Sequence, residues 1–190
     1  MPHPLLVVDV QNGFVNEFTD HVPPRIVRLI QTGEYAPVLF TRFINTPDSP
    51  YRRLLNWHAC GEGEDTNIVD ELAPFAEPGN VYEKHGKTGL PSALAKRLQQ
   101  DQVQEVFTVG IDTDMCVLKV AMDVFDLGIE PVVLVDCCAS TAGLQAHLAG
   151  LSILSKNIGV HQLRLTRLNE GYLAAPKGDP TPTPDPPAKT

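Results

Sequence analysis

The chain has 190 residues, with 15 basic and 23 acidic side chains and a formal charge of −8. That balance argues against a nucleic-acid backbone or an anionic membrane surface as its main partner, since both select clustered Lys and Arg. A hydrophobic content of 43% argues against a disordered chain.

The 17 prolines are unevenly spread, with six of them between Pro176 and Pro187. That stretch, PKGDPTPTPDPPAKT, has nothing to bury and reads as an extended, polyproline-like appendage over 176–190. Its lysines and aspartates cancel, so the negative charge belongs to a single domain over 1–175. No catalysis is expected from the tail.

The first apolar run, Leu5 to Val8, is stopped by Asp9 and is too short for a signal segment or a spanning helix. It reads as a strand over Leu5–Asp9. Further strands are predicted over Pro37–Phe43, Asn80–Lys84, Glu105–Gly110, Pro131–Asp136 and Val160–Leu165. Most are nearly continuous Val, Leu, Ile or Phe, the pattern of strands buried on both faces. Helical patterns lie between them at Pro24–Gln31, Ser92–Gln100, Cys116–Leu127 and Thr141–Lys156. Strands alternating with helices imply one parallel α/β sheet, doubly wound, with helices on both faces. Residues 44–79 read as mostly irregular, a long connection of the kind that supplies a pocket wall or lid.

Cys60, Cys116, Cys137 and Cys138 form no C-x-x-C pair, and together with the missing secretion signal they point to reduced thiols and a cytoplasmic protein. Cys137 and Cys138 read as two small residues closing a buried strand. Gly86-Lys87-Thr88 follows a strand like the end of a phosphate-binding loop, but the first glycine of that motif would fall on Val81. Neither a nucleotide nor a dinucleotide site is expected.

In an open parallel sheet, ligands bind outside the carboxyl ends of the strands. The polar residues at those ends are Asp9 and Gln11, Thr41 and Arg42, Lys84 and His85, and the run from Asp112 to Cys116. An acid, a cation and a thiol could therefore meet at one edge. Cys116 at the start of a helix would feel the helix dipole, and a nearby Lys84 would lower its pKa further. Spacing alone also fits a buried small apolar residue, the usual fate of a free cysteine. Arg42, Phe43, Tyr51, Trp57 and His58 are candidates for a substrate wall. Arg42 suits either a substrate carboxylate or a structural salt bridge.

Asp9-Val10-Gln11-Asn12-Gly13-Phe14, Lys84 after the third strand, and Gly110-Ile111-Asp112-Thr113-Asp114-Met115-Cys116-Val117 together resemble the isochorismatase-like cysteine hydrolases. Val132 to Ser140 also resembles that family's fifth strand and following turn. The resemblance covers residues 4–165. It implies a sheet order of 3-2-1-4-5-6, Cys116 as nucleophile, Asp9 as general acid/base, and Lys84 as the residue that holds both in place. It further implies a cis peptide between Ile111 and Asp112, and an oxyanion hole made by the backbone N–H groups of Asp112 and Cys116. Gln11, Phe14, Arg42 and Trp57 are the expected substrate-binding residues. The resemblance also implies a dimer or tetramer.

Metal-dependent nicotinamidases carry Asp-x-His after the second strand, where this chain has Thr41-Arg42-Phe43. Neither a catalytic metal nor another cofactor is expected, and nicotinamide is not the expected substrate. Siderophore-pathway isochorismatases lack the nucleophilic cysteine, so its presence favours C–N hydrolysis of a small amide, ureide or carbamoyl compound. Vinyl-ether hydrolysis and a catalytically silent binding protein of the same fold are the alternatives.

Overall fold

The computed structural model describes residues 3–86 and 89–169. The boundary at 175, the proline-rich tail, Lys87 and Thr88 lie outside the described residues. Six strands, β1 (His3–Val8), β2 (Tyr35–Phe43), β3 (Val81–Lys84), β4 (Glu105–Ile111), β5 (Glu130–Ala139) and β6 (Leu163–Arg164), form one sheet. All pairings are parallel and the order is β3-β2-β1-β4-β5-β6, as the resemblance implied.

The apolar run of β1 is divided by the strand's two-residue period. Leu5 and Val7 face one core with Ile26 and Leu29 of helix α1 (Val22–Gln31). Leu6 and Val8 face the other, where α3 (Ser92–Gln100), α4 (Leu118–Asp126) and α5 (Leu144–Asn157) supply Leu94, Leu98, Val120, Val124 and Leu154. Helices thus cover both faces, as continuous apolar strands require. Among the described residues no helix is long and apolar enough to cross a membrane.

Several boundaries differ from the sequence reading, β6 among them: Val160–Gln162 form a short 3-10 turn and the strand spans only Leu163–Arg164. Helix α1 begins at Val22, two residues before Pro24, because the first turn needs no N–H from Pro23 or Pro24. Strand β5 runs on through Cys137 and Cys138 to Ala139. Helix α5 starts at Leu144 rather than Thr141, whose backbone N–H and hydroxyl are committed to the Asp112 carboxylate. The 44–79 connection contains a short helix, α2 (Pro50–Leu55). Its start carries a signal that hydrophobic periodicity passes over: the Ser49 hydroxyl accepts from Arg52 N at 3.2 Å, with proline next in the chain.

Successive strands leave β1 in one direction and β4 in the other, so the carboxyl ends of β1 and β4 flank the point where the winding reverses. Gly110 brings these two strands unusually close. Its φ is +132°, and a Cβ there would stand 2.1 Å from the Val8 carbonyl oxygen. Only glycine fits at that approach, one residue ahead of Ile111 and directly beside the entry to Asp9.

Candidate active site

Asp9 follows β1 in the left-handed region, at φ +50°, a conformation that Asp tolerates better than most residues. Its backbone N–H donates to the Thr41 carbonyl at 3.3 Å, and its own carbonyl accepts from Gln11 N at 2.9 Å. This turn directs the carboxylate inward. Oδ1 accepts from the Thr41 hydroxyl at 2.7 Å, and Oδ2 lies 2.6 Å from Lys84 Nζ.

Lys84 ends β3, two strands away from β1 in the sheet. Two strand spacings are about 9.5 Å, a span that a lysine and an aspartate side chain together can bridge. Both residues are withdrawn from solvent, Asp9 fully and Lys84 at 4% exposure. Burial alone would lower the Lys84 pKa, but the Asp9 carboxylate and Cys116 outweigh it and raise it. The ammonium therefore stays charged.

Cys116 does not open α4. It sits within a π-helical turn, Thr113–Val117, that carries the chain from β4 into the helix. Single π turns are rare and occur mostly at functional sites. Two features hold the turn against α5. The Thr113 hydroxyl is 2.8 Å from His147 Nδ1, and a Cβ on Gly150 would stand only 2.7 Å from Asp114 Cα. The Ile111–Asp112 peptide just before the turn is cis. The Asp112 carboxylate accepts from Thr141 N at 2.6 Å and Thr141 Oγ1 at 3.1 Å, tying the loop after β4 to the loop after β5. Burial pushes the Asp112 carboxyl up, against the opposing pull of those two bonds.

Cys116 sits beside the Asp9–Lys84 pair, and both charges act on its thiol. The thiol pKa is not lowered, contrary to the sequence reading. Burial first, then the Asp9 carboxylate, push it up to about 12 against the opposing pull of Lys84. The resting group is therefore a neutral thiol, and thiolate forms only as a proton leaves. Alkylation of Cys116 by iodoacetamide is expected to rise about tenfold per pH unit between about pH 6 and pH 9. A plateau below about pH 8, measured by peptide mass spectrometry, would show a thiolate already present at rest.

Cys116 lies where two cavities meet. The larger, about 470 Å³, is walled by Phe14, Phe43, Tyr51 and Trp57. Ring centroids are 6.3 Å apart for Phe14–Trp57, 5.2 Å for Phe43–Tyr51 and 5.4 Å for Tyr51–Trp57. Buried Asn45 fastens this wall by donating to the Trp57 and Ala59 carbonyls at 3.0 and 2.9 Å. Gly13, Asn16, Leu55, Asp112, Met115 and Thr141 also line it; the segments of Asn16 and Thr141 offered no signal for that role. The smaller cavity, about 240 Å³, shares Tyr51, Met115 and Cys116 with the first and adds Lys84, Asp114 and Lys119.

Three expected wall residues lie elsewhere. Gln11 is fully buried, and its amide bridges backbone groups: Nε2 donates to the Phe43 and Thr66 carbonyls at 2.9 and 2.8 Å, and Oε1 accepts from Phe43 N at 2.7 Å. With those bonds made, Gln11 shapes the wall from behind instead of meeting a substrate. Arg42 pairs with Glu83, its neighbour across the β2–β3 ladder, beside a separate surface groove. Adjacent residues point to opposite sides of a strand, so Phe43 enters the cavity and Arg42 does not. His58 is exposed, its Nε2 3.1 Å from Asn56 Oδ1. Phe14 and Trp57, by contrast, do line the cavity.

A doubly wound parallel sheet with an acid, a lysine and a cysteine gathered at its switch point defines a class of α/β proteins that carry a nucleophile beside a base. Comparison with known proteins is more specific. A family model described as the Isochorismatase domain matches residues 4–163, and the chain belongs to that family of hydrolases. Solved structures with the same fold include an isochorismatase-like hydrolase from Alkaliphilus metalliredigens, 21% identical, with a TM-score of 0.72 over 83% of this chain and 92% of that one. The N-carbamoylsarcosine amidase of Thermoplasma acidophilum is 22% identical, with a TM-score of 0.67 over 84% and 94%. The nicotinamidase of Bacillus subtilis is 23% identical, with a TM-score of 0.67 over 84% and 97%.

Proposed function

We propose that this protein hydrolyses a C–N bond of a small amide, ureide or carbamoyl compound through a thioester on Cys116. The observation that carries the reading is the buried Asp9–Lys84 pair beside a thiol that lines the aromatic cavity.

The neutral thiol gives its proton to the Asp9 carboxylate as Sγ attacks the substrate carbonyl carbon. Lys84 remains charged beside the newly protonated acid and the forming C–S bond. The carbonyl oxygen becomes an oxyanion, for which the backbone N–H groups of Asp112 and Cys116 would serve as donors. Asp9 then protonates the leaving nitrogen, the C–N bond breaks, and ammonia or an amine departs from the thioester. Water attacks the thioester, giving a proton to Asp9. The C–S bond breaks, the acid is released, and the proton returns from Asp9 to the thiolate. Each turnover consumes one water and restores both groups.

A small activated acyl donor, 4-nitrophenyl acetate, provides the test. Rapid acid quench followed by mass spectrometry is expected to find one acetyl group on the Cys116 peptide and none on Cys60, Cys137 or Cys138. Burial pushes the Cys60 and Cys137 thiols up to about 12, and Cys138 higher still. None of these three lines the aromatic cavity. Acetylation elsewhere, or none at Cys116, would refute the covalent route.

A further inference from the structure

The aromatic cavity has a charge character that its four rings alone do not reveal. Among its described lining residues the ionisable side chains are Tyr51, Asp112 and Cys116, and none is a cation. The Asp112 carboxylate is held by Thr141, and the Tyr51 hydroxyl and Cys116 thiol are both pushed toward their neutral forms by burial. Lys84 lines the neighbouring smaller cavity and is paired with Asp9 at 2.6 Å. Arg42, the residue best suited by sequence to meet a substrate carboxylate, is paired with Glu83 outside the cavity.

Resting on the thioester reading above, we infer that the larger cavity selects an uncharged, flat, apolar acyl group and refuses one that carries a carboxylate. A carboxylate placed among these rings would lose its hydration and gain no cation in return. It would also approach the Asp112 carboxylate, which lines the cavity. A flat apolar ring loses nothing comparable, and ring centroids spaced 5 to 6 Å apart offer both edges and faces for packing. The smaller cavity, with Lys84, Asp114 and Lys119, gives the departing amine and the incoming water a polar side of the same sulfur.

Two substrates that differ by one group test this: benzamide and 4-carbamoylbenzoate, compared by ammonia release with the full chain. The expected kcat/KM is at least about 100-fold higher for benzamide. Leu55 lines the same cavity at its rim and is 62% exposed, so Leu55→Arg supplies a cation without entering the core. That variant is expected to narrow the ratio at least tenfold. Equal use of the two amides by the unsubstituted protein, or a ratio unmoved by Leu55→Arg, would overturn the inference.

If neither amide releases ammonia, the same comparison is made on the 4-nitrophenyl esters of benzoic acid and terephthalic acid, weighing the acyl group on Cys116. Faster benzoylation supports the inference, and equal labelling overturns it while leaving the thioester reading intact. Absence of labelling by either ester, together with a failure of 4-nitrophenyl acetate, overturns both.

Discussion

Lys84→Met is expected to cost about 3–5 kcal/mol of folding stability, because it leaves a fully buried carboxylate without its cation. Asp9 would keep the Thr41 hydroxyl at 2.7 Å, and a neutral donor does not replace an ammonium at 2.6 Å. The sign of the pH dependence follows from the raised pKa of Lys84. Its stabilising contribution is fully present below the unfolded lysine value of 10.5 and is lost only as pH rises through the higher folded one. Through neutral pH the intact pair is therefore insensitive to the lysine's titration. The deficit of the variant relative to the unsubstituted protein is read from urea unfolding at pH 8. Adding Asp9→Asn to Lys84→Met is expected to recover a large part of the loss, because a buried pair removed together costs less than one partner removed alone. Equal stability of Lys84→Met and the unsubstituted protein at pH 8 would show that the pair is solvated, against the geometry described here.

Cys116→Ala is expected to lower turnover by on the order of 10⁴-fold or more, the scale seen when a covalent nucleophile is removed. Its effect on stability should be small, about 1 kcal/mol, since one sulfur atom is lost from a half-buried position. The Asp9–Lys84 ion pair and the aromatic wall do not depend on that sulfur for their own contacts, so the variant should fold and still bind substrate. Cys116→Ser retains a hydroxyl in place but demands a stronger base than a carboxylate, and is expected to lose most of the activity as well. Steady-state ammonia release, with a thermal melt for each variant, separates the readings. Turnover within about tenfold of the unsubstituted protein would rule out a thioester and favour hydrolysis without a covalent intermediate, as vinyl-ether cleavage would require. A catalytically silent fold would show no turnover in either form.

Much of this arrangement was legible in local patterns. Continuous apolar runs such as Leu5 to Val8 mark strands buried on both faces, and their alternation with helical periods leaves a doubly wound parallel sheet as the economical solution. In such a sheet a polar residue just beyond a strand's carboxyl end faces the ligand crevice, which is why Asp9, Lys84 and the Asp112–Cys116 run stood out without any coordinates. The aromatic residue at 57 could be read only as a candidate, because nothing periodic ties the 44–79 connection to the strands.

Other features were decided by contacts between distant segments. Gln11 and Arg42 have the right chemistry for a substrate. Gln11 instead spends its amide on the Phe43 and Thr66 backbone, 32 and 55 residues away, and Arg42 meets Glu83 across a strand ladder. The charge state of Cys116 is of the same kind. A sequence places it near a helix start and a lysine, which lowers a thiol pKa, whereas burial and the Asp9 carboxylate raise it. The sequence alone thus determined the alternation of buried strands with helices and the residue types that follow β1, β3 and β4, since these follow from period and polarity along the chain. Only the tertiary structure decided which of those residues face one another, which are consumed by backbone partners, and which remain neutral. Hydrogen bonding, ion pairing and desolvation act between residues far apart in the chain, and no local pattern records them.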